Sequence, residues 1–428
     1  MSTARRLYTA ALWGLAPLAL GRLWLRGARV PAYRERVGER LGRTPPRAGP
    51  PAVWVHAVSV GEVQAALPLI ERLRRELPGL PLVVTTVTPT GSERVRERLG
   101  SAVHHCYLPY DLPAAVGRFL ERVRPAVGVI METELWPNLY AACEARGVPV
   151  VVANARLSPR SWRGYRRLGR LARETLRRVT VVAAQSEADA ERFRALGARP
   201  ERVHVTGSLK FDLATPASLV ESGEALRRVW GPNRPVWVAG STHEGEEEAA
   251  LAAHRTLLAR WPDALLVLVP RRPERFERVA ALVRRAGLRL ARRSAGVWDG
   301  RAQVLLGDTM GELRLFYAAA DAAFVGGSLV PHGGHNPLEA AALGRPVAYG
   351  PHTFNFDEIA RLLVEEGAAR RVRDAGELAA TLAGWLGDAA ARTAAGERGR
   401  LAVARNRGAL DRLWTLLAPL LPRAQPSG

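Results

Sequence analysis

The chain is nearly devoid of lysine and of cysteine. Lys210 is the single lysine in 428 residues, and Cys106 and Cys143 are the two cysteines. Thiols so far apart form no disulfide framework, no Cys-x-x-Cys redox motif and no zinc-ligand spacing, as expected of a chain folded in reducing cytosol. Asp-x-Asp is absent, and so is a Walker P-loop, which counts against a metal-bridged diphosphate donor and against phosphoryl transfer from a nucleoside triphosphate. His243-Glu244 does not extend to the zinc-binding His-Glu-x-x-His, because Glu247 stands where the second histidine belongs. Acidic charge is also scarce: 41 Asp plus Glu against 62 Lys plus Arg leave a formal charge of +21. Such a balance favours anionic partners, whether phospholipid headgroups, acidic small molecules or nucleic acid, and does not choose among them.

What is present is a repeated rhythm. From Pro51 short apolar runs alternate with amphipathic stretches, and Ala52–Val58, Leu82–Val87, Ala126–Met131, Pro149–Ala153 and Val179–Ala184 read as buried parallel strands, each followed by a helix. The rhythm restarts at Pro235 with Val236–Ala239, Leu265–Val269, Val304–Leu306, Ala322–Val325 and Pro346–Tyr349. The halves open alike, Val53-Trp54-Val55 leading to Gly61-Glu62 and Val236-Trp237-Val238 leading to Gly245-Glu246. The pattern predicts two doubly wound α/β domains, residues 31–213 and 214–428, with a hinge in Gly207–Pro235. The last helix is free to pack back on the first domain. Ligands of such sheets sit outside the carboxyl ends of the strands, which places the expected active site in a cleft between the halves.

Ahead of the first domain, Leu7–Leu25 is apolar except for Arg22, is short for a membrane span, and runs directly into Arg26, Arg29, Arg34 and Arg36. Residues 1–30 therefore read as an uncleaved membrane-anchoring segment with the body held on the cytoplasmic side, or alternatively as a core helix of the first domain. Arg156–Arg178 carries nine arginines against Glu174, at helical spacing with Trp162, Tyr165, Leu168 and Leu171 interleaved. Such a helix suits an anionic membrane or an acidic acceptor, and equally a charged outer face.

The candidate chemistry lies at the strand ends. Phe324–Pro351 combines a strand, the glycines Gly326, Gly327, Gly333 and Gly334, two histidines, His332 and His335, and a helix start with Asn336 as N-cap and Pro337 in the first turn, the helix continuing over Leu338–Leu343 until Gly344 ends it. Backbone amides and a helix dipole there would suit a phosphate ester. Ser59-Val60-Gly61-Glu62 supplies Glu62 as a candidate base, or else a capping box in which the carboxylate only satisfies a backbone donor. Glu132 and Glu134 follow another strand. Lys210, which follows an apparent strand at Val203–Thr206 and is the lone survivor of an arginine-for-lysine bias, marks either a site that needs a compact ammonium or chance. Arg271 and Arg272 follow Pro270 at a strand end, where a guanidinium can grip phosphate or carboxylate. Thr309-Met310-Gly311-Glu312 reads as a further helix start.

Together these segments resemble the 3-deoxy-D-manno-octulosonic acid (Kdo) transferases. The match runs through VSVGE (Val58–Glu62), TPTGSERV, YLPYDLP, METELWPN (Met131–Asn138), NARLS (Asn154–Ser158), GSLKFD (Gly207–Asp212), STHEGEE, GDTMGEL, GGHNPLEAA and GPHTFNF, covering nearly the whole chain. One departure is Arg272, where the family is expected to carry histidine. The resemblance implies a GT-B glycosyltransferase with two Rossmann-like domains facing a central cleft. It implies an inverting enzyme, without metal or cofactor, that moves Kdo from CMP-Kdo to lipid IVA, the tetraacyl lipid A precursor, on the cytoplasmic face of the inner membrane, with no nucleic acid as partner. It also implies Glu62 as general base and Glu132 and Lys210 as transition-state stabilisers. CMP contacts are implied at Pro270 and Arg271, at Met310, Gly311 and Glu312, and at Asn336, Pro337, Leu338 and Glu339. Two rivals follow from the residues alone: a lipid-directed transferase using a UDP-sugar, and a non-catalytic basic protein that binds anionic surfaces through arginine.

Overall fold

The computed structural model describes residues 1–213, 215–298 and 300–422. Two compact units result: Met1–Asp212 joined by the chain from Arg407 onward, and Leu213–Asn406.

The first unit holds a parallel sheet of strands β1 (Ala52–His56), β2 (Leu82–Thr86), β3 (His104–Tyr107), β4 (Pro125–Met131), β5 (Val150–Ala155), β6 (Val181–Ala184) and β7 (Val203–Val205), in the order β3-β2-β1-β4-β5-β6-β7. The inner strands are buried on both faces, which is why they read as unbroken apolar runs. Trp54 fills one face against Phe119 and donates its indole N–H to Thr85 Oγ1 at 2.8 Å. Gly128 leaves room for that ring, since a Cβ there would lie 2.8 Å from Trp54 Cε3. The opposite face is closed by the helix Val60–Glu76 and by Ala409–Leu417, whose Leu413 and Leu417 are fully buried, each such side chain contributing about 1.5–3 kcal/mol.

The second unit repeats the plan with β8 (Val236–Thr242), β9 (Leu265–Pro270), β10 (Leu290–Arg292), β11 (Val304–Leu306), β12 (Ala322–Val325), β13 (Val347–Tyr349) and β14 (Ala369–Arg371), ordered β10-β11-β9-β8-β12-β13-β14 and parallel throughout. In both sheets the first strand lies inside the sheet and the chain reverses its direction of winding beside it, between β1 and β4 and between β8 and β12. Helices diverge from the sheet at such switch points and leave a crevice at the strands' carboxyl ends.

The amino-terminal segment is a helix, Thr3–Arg29, of 27 residues. Its first turns are held to the first unit: Tyr8 donates to Asp111 Oδ2 at 3.0 Å, and Thr9 and Asn138 exchange hydrogen bonds at 3.1 and 3.0 Å. Leu7, Trp13, Leu15, Leu18, Trp24 and Leu25 remain exposed. Among the described residues no helix is long and apolar enough to cross a membrane. The basic segment forms two helices rather than one, Pro159–Arg167 and Arg170–Leu176, because Gly169 breaks the run at φ +48°.

Candidate active site

Glu62 and Glu132 follow β1 and β4, the two strands that flank the first switch point. Glu62 sits in the first turn of Val60–Glu76, and its carboxylate accepts the Val58 N–H at 2.8 Å and the Ser59 hydroxyl at 3.2 Å. The reciprocal half of a capping box is missing, since Ser59 accepts no helix amide. Burial, with the negative fields of Glu132 and Glu134 added, pushes the Glu62 carboxyl up to about 8 against the opposing pull of the Val58 N–H. Glu134 is raised to about 7, again chiefly by burial and then by Glu132. Glu132 itself holds a left-handed backbone, φ +58°, and meets the Lys210 ammonium at 3.8 Å. The three residues expected to act together in the first half are therefore brought to one sheet edge. Strained backbone and displaced pKa values at such an edge are hallmarks of a functional site, and a carboxyl near 8 can take up and release a proton at neutral pH.

The second switch point lies between β8 and β12, and its loops are organised around a residue that sequence reasoning passed over. Glu246 is fully buried at the start of the helix Glu246–Leu258. Its carboxylate accepts four backbone N–H groups: His243 at 3.0 Å, Gly327 at 2.6 Å, Ser328 at 2.9 Å and Leu329 at 2.9 Å. The first part of the glycine-rich turn is thus occupied by the protein's own anion. Gly326 is required there, because a Cβ would lie 2.6 Å from the Ser241 carbonyl and 2.9 Å from Glu246. The only signal for this in the sequence is a glutamate after glycine at a helix start, which is commonplace at exposed helix ends.

The remainder of that loop brings His243, His332 and His335 together. The His243 ring stacks on His332 at 4.2 Å and approaches His335 with Nε2–Nε2 at 2.8 Å. Burial lowers His335 to about 3 and His243 to about 4, with the neighbouring imidazoles and Arg271 adding to the effect. Both rings are neutral at pH 7 within a positive field, the environment that attracts an anion. Arg271 follows β9, the neighbour of β8, and its N–H donates to the Thr242 carbonyl at 3.0 Å. Asn336 Oδ1 accepts the Leu338 N–H at 3.1 Å, but from one residue ahead of the N-cap, a position that Pro337 takes in place of Asn336. The helix that follows, Leu338–Ala341, is a single turn rather than running to Leu343, so little macrodipole develops; the amides of Gly327, Ser328 and Leu329 are already taken by Glu246, and Arg271, whose charge reaches His335, is the basic group beside this loop. Glu312 precedes Leu313–Ala319 at the carboxyl end of β11; its carboxylate is gripped by Arg293 at 2.7 Å, Gly311 turns at φ +87°, and Met310 is exposed.

A family model described as 3-deoxy-D-manno-octulosonic-acid transferase (kdotransferase) matches residues 35–213. The 3-deoxy-D-manno-octulosonic acid transferase of Haemophilus influenzae is 44% identical over 423 residues, covering 98% of this chain and 99% of the relative. The chain belongs to the Kdo transferase family. The Bordetella pertussis Kdo transferase is 43% identical, with 95% of this chain and 97% of the relative covered. Among solved structures, a glycosyltransferase from Rickettsia africae aligns at TM-score 0.54 with 13% identity over 88% of this chain and 100% of that one, a likeness of fold. Within a Kdo transferase, a glycosyltransferase with two parallel α/β sheets, the first switch point carries Glu62 and Glu132, with Lys210 after β7 reaching Glu132; the second carries Asn336, with Arg271 on the neighbouring strand end and Met310–Glu312 after β11, two strands from β8. Glu246, Asn154 and the His243–His335 pair are the additions that only the structure supplies.

Proposed function

We propose that this Kdo transferase takes Kdo from CMP-Kdo and attaches it to lipid IVA with inversion at the anomeric carbon and without a metal. The observation that carries the reading is the Glu62 carboxyl at the β1/β4 switch point, raised to about 8 by burial and by Glu132 and Glu134, with Lys210 meeting Glu132 at 3.8 Å. Glu62 removes the proton of the acceptor hydroxyl as that oxygen attacks the anomeric carbon; the bond to the CMP phosphate breaks, and its electron pair leaves with CMP. The proton ends on Glu62. Lys210, held near Glu132, offsets the negative charge of the Kdo carboxylate and of the transition state. Pro270, Arg271, Met310 to Glu312 and Asn336 to Glu339 hold CMP, with Arg271 absorbing the charge that develops on the leaving phosphate.

The test is mass spectrometry of the lipid after incubation with CMP-Kdo and purified tetraacyl precursor. Addition of one or more Kdo masses, inhibited by CMP and not by UDP, is expected. An unchanged lipid, or stronger inhibition by UDP, refutes the reading.

We further propose that the enzyme works on the cytoplasmic face of the inner membrane, held there by the exposed apolar residues of Thr3–Arg29 and by the exposed arginines Arg163, Arg166 and Arg167. Trp13 and Leu18 are 56% and 69% exposed, so Trp13→Glu with Leu18→Glu leaves folding intact. In flotation with vesicles containing anionic phospholipid, the double variant is expected to bind at least about tenfold more weakly than wild type. Equal binding removes the helix from the membrane contact.

A further inference from the structure

Asn154 occupies the carboxyl end of β5, fully buried and with a left-handed backbone at φ +52°, at the point where the pairing of β5 with β6 shifts register. Its Oδ1 accepts the N–H of Leu209 at 3.0 Å, and its carbonyl accepts from Gln185 Nε2 at 2.9 Å. The carbonyl of the preceding Ala153 accepts the N–H of Glu132 at 2.9 Å. Two adjacent residues of one bulged strand end therefore hold the main chain of Glu132 and the main chain beside Lys210. Those are the residues whose side chains meet at 3.8 Å.

The short turn Leu209–Phe211 that carries Lys210 is gripped from its other side as well. Leu209 and Phe211 are buried, and Asp212 accepts the N–H groups of Gly408 at 2.6 Å and Leu410 at 2.5 Å. The ammonium is placed by a main chain fixed at both ends. At position 154 this demands an acceptor of the right reach on a backbone of positive φ, a combination open to asparagine and aspartate. Glycine supplies only the backbone and alanine neither. The carboxamide nitrogen of Asn154 has no partner among the described residues, so the amide is kept for its oxygen.

We infer that Asn154 is a positioning residue for glycosyl transfer: through the Leu209 N–H it sets the Lys210 ammonium against Glu132, and the strained strand end is retained for that purpose. The inference rests on the role proposed above for Lys210. It is tested in the full-length enzyme with Asn154→Gly, which suits the backbone and removes the acceptor, with Asn154→Asp, which keeps both, and with Lys210→Ala in wild-type and Asn154→Gly backgrounds. Asn154→Gly is expected to lower kcat about 10- to 100-fold with the donor KM within about twofold, and to lower the melting temperature by only about 2–8 °C, the effect of one buried N–H left unpaired. Asn154→Asp is expected to hold kcat within about threefold of wild type, and Lys210→Ala to add almost nothing to Asn154→Gly because both act through one ammonium. A wild-type kcat in Asn154→Gly, or losses that multiply in the double variant, overturns the inference while leaving Lys210 in place. A wild-type rate in Lys210→Ala overturns both the inference and the reading beneath it. Should Asn154→Gly not fold, a tenfold loss of kcat in Asn154→Asp at unchanged melting temperature decides against it.

Discussion

Glu62→Gln is expected to lower kcat by about 10²- to 10⁴-fold, the range over which a positioned general base contributes, while CMP binds within about twofold of its wild-type affinity. The amide retains an oxygen for the Val58 N–H, so the start of the helix Val60–Glu76 is preserved and only the proton acceptor is lost. The wild-type rate should also carry the signature of the raised carboxyl. A base must be ionised to act; with its pKa near 8, about a tenth of Glu62 is ionised at pH 7, and the rate should climb from pH 6 to a plateau above pH 8. Stability should move the other way. A carboxyl whose folded pKa is raised favours the protonated form, so its stabilising contribution is complete below the ordinary carboxyl range and is withdrawn as pH rises through about 7 for Glu134 and about 8 for Glu62. Between pH 6.5 and 8.5, wild type should therefore gain rate and lose stability; Glu62→Gln should flatten the rate profile and leave only the stability loss due to Glu134, which ends near pH 7. A pH–rate profile combined with thermal melts over that window checks it. A Gln variant at wild-type rate would leave Glu62 with only the capping role.

Glu246→Ala is expected to unfold the second unit before the first. Each buried N–H left without an acceptor costs about 1–3 kcal/mol, and this carboxylate serves four of them, so the loss is on the order of 4 kcal/mol or more. For a unit of this size that is about 10 °C or more of melting temperature, visible in calorimetry as a transition separating from that of the first unit. Glu246→Gln should fall between the two, because one amide oxygen replaces two carboxylate oxygens and its NH₂ group faces an N–H donor. CMP binding is expected to weaken in parallel, since Gly327 to Leu329 open the loop that leads to Asn336. A melting profile indistinguishable from wild type would mean that water or another group satisfies those amides as well as the carboxylate does.

Legibility from sequence followed burial. Ten strands were readable because each lies between neighbours or under helices and shows as an apolar run. An eleventh, β7, was readable from Val203–Thr206 although it lies at a sheet edge. The three that were not, His104–Tyr107, Leu290–Arg292 and Ala369–Arg371, are all edge strands, paired on one side and partly exposed, so their sequences carry no such run. The composition of Leu338–Leu343 predicts a longer helix than forms, because the chain turns out after Ala341 towards β13.

Composition and strand rhythm by themselves determined that this chain forms two parallel α/β sheets with Glu62, Glu132 and Lys210 at strand ends, and the resemblance of its sequence segments to the Kdo transferases pointed to the family. These properties are local, written into runs of a few residues. Tertiary structure alone decided what those residues meet: that Glu62 is buried near two other carboxyls and so titrates near 8, that Glu246 fills the glycine-rich turn, and that Asn154 reaches 55 positions along the chain to hold the turn bearing Lys210. A pKa, an occupied amide or a strained backbone depends on partners distant in sequence, and only the folded chain brings those partners within a few ångströms.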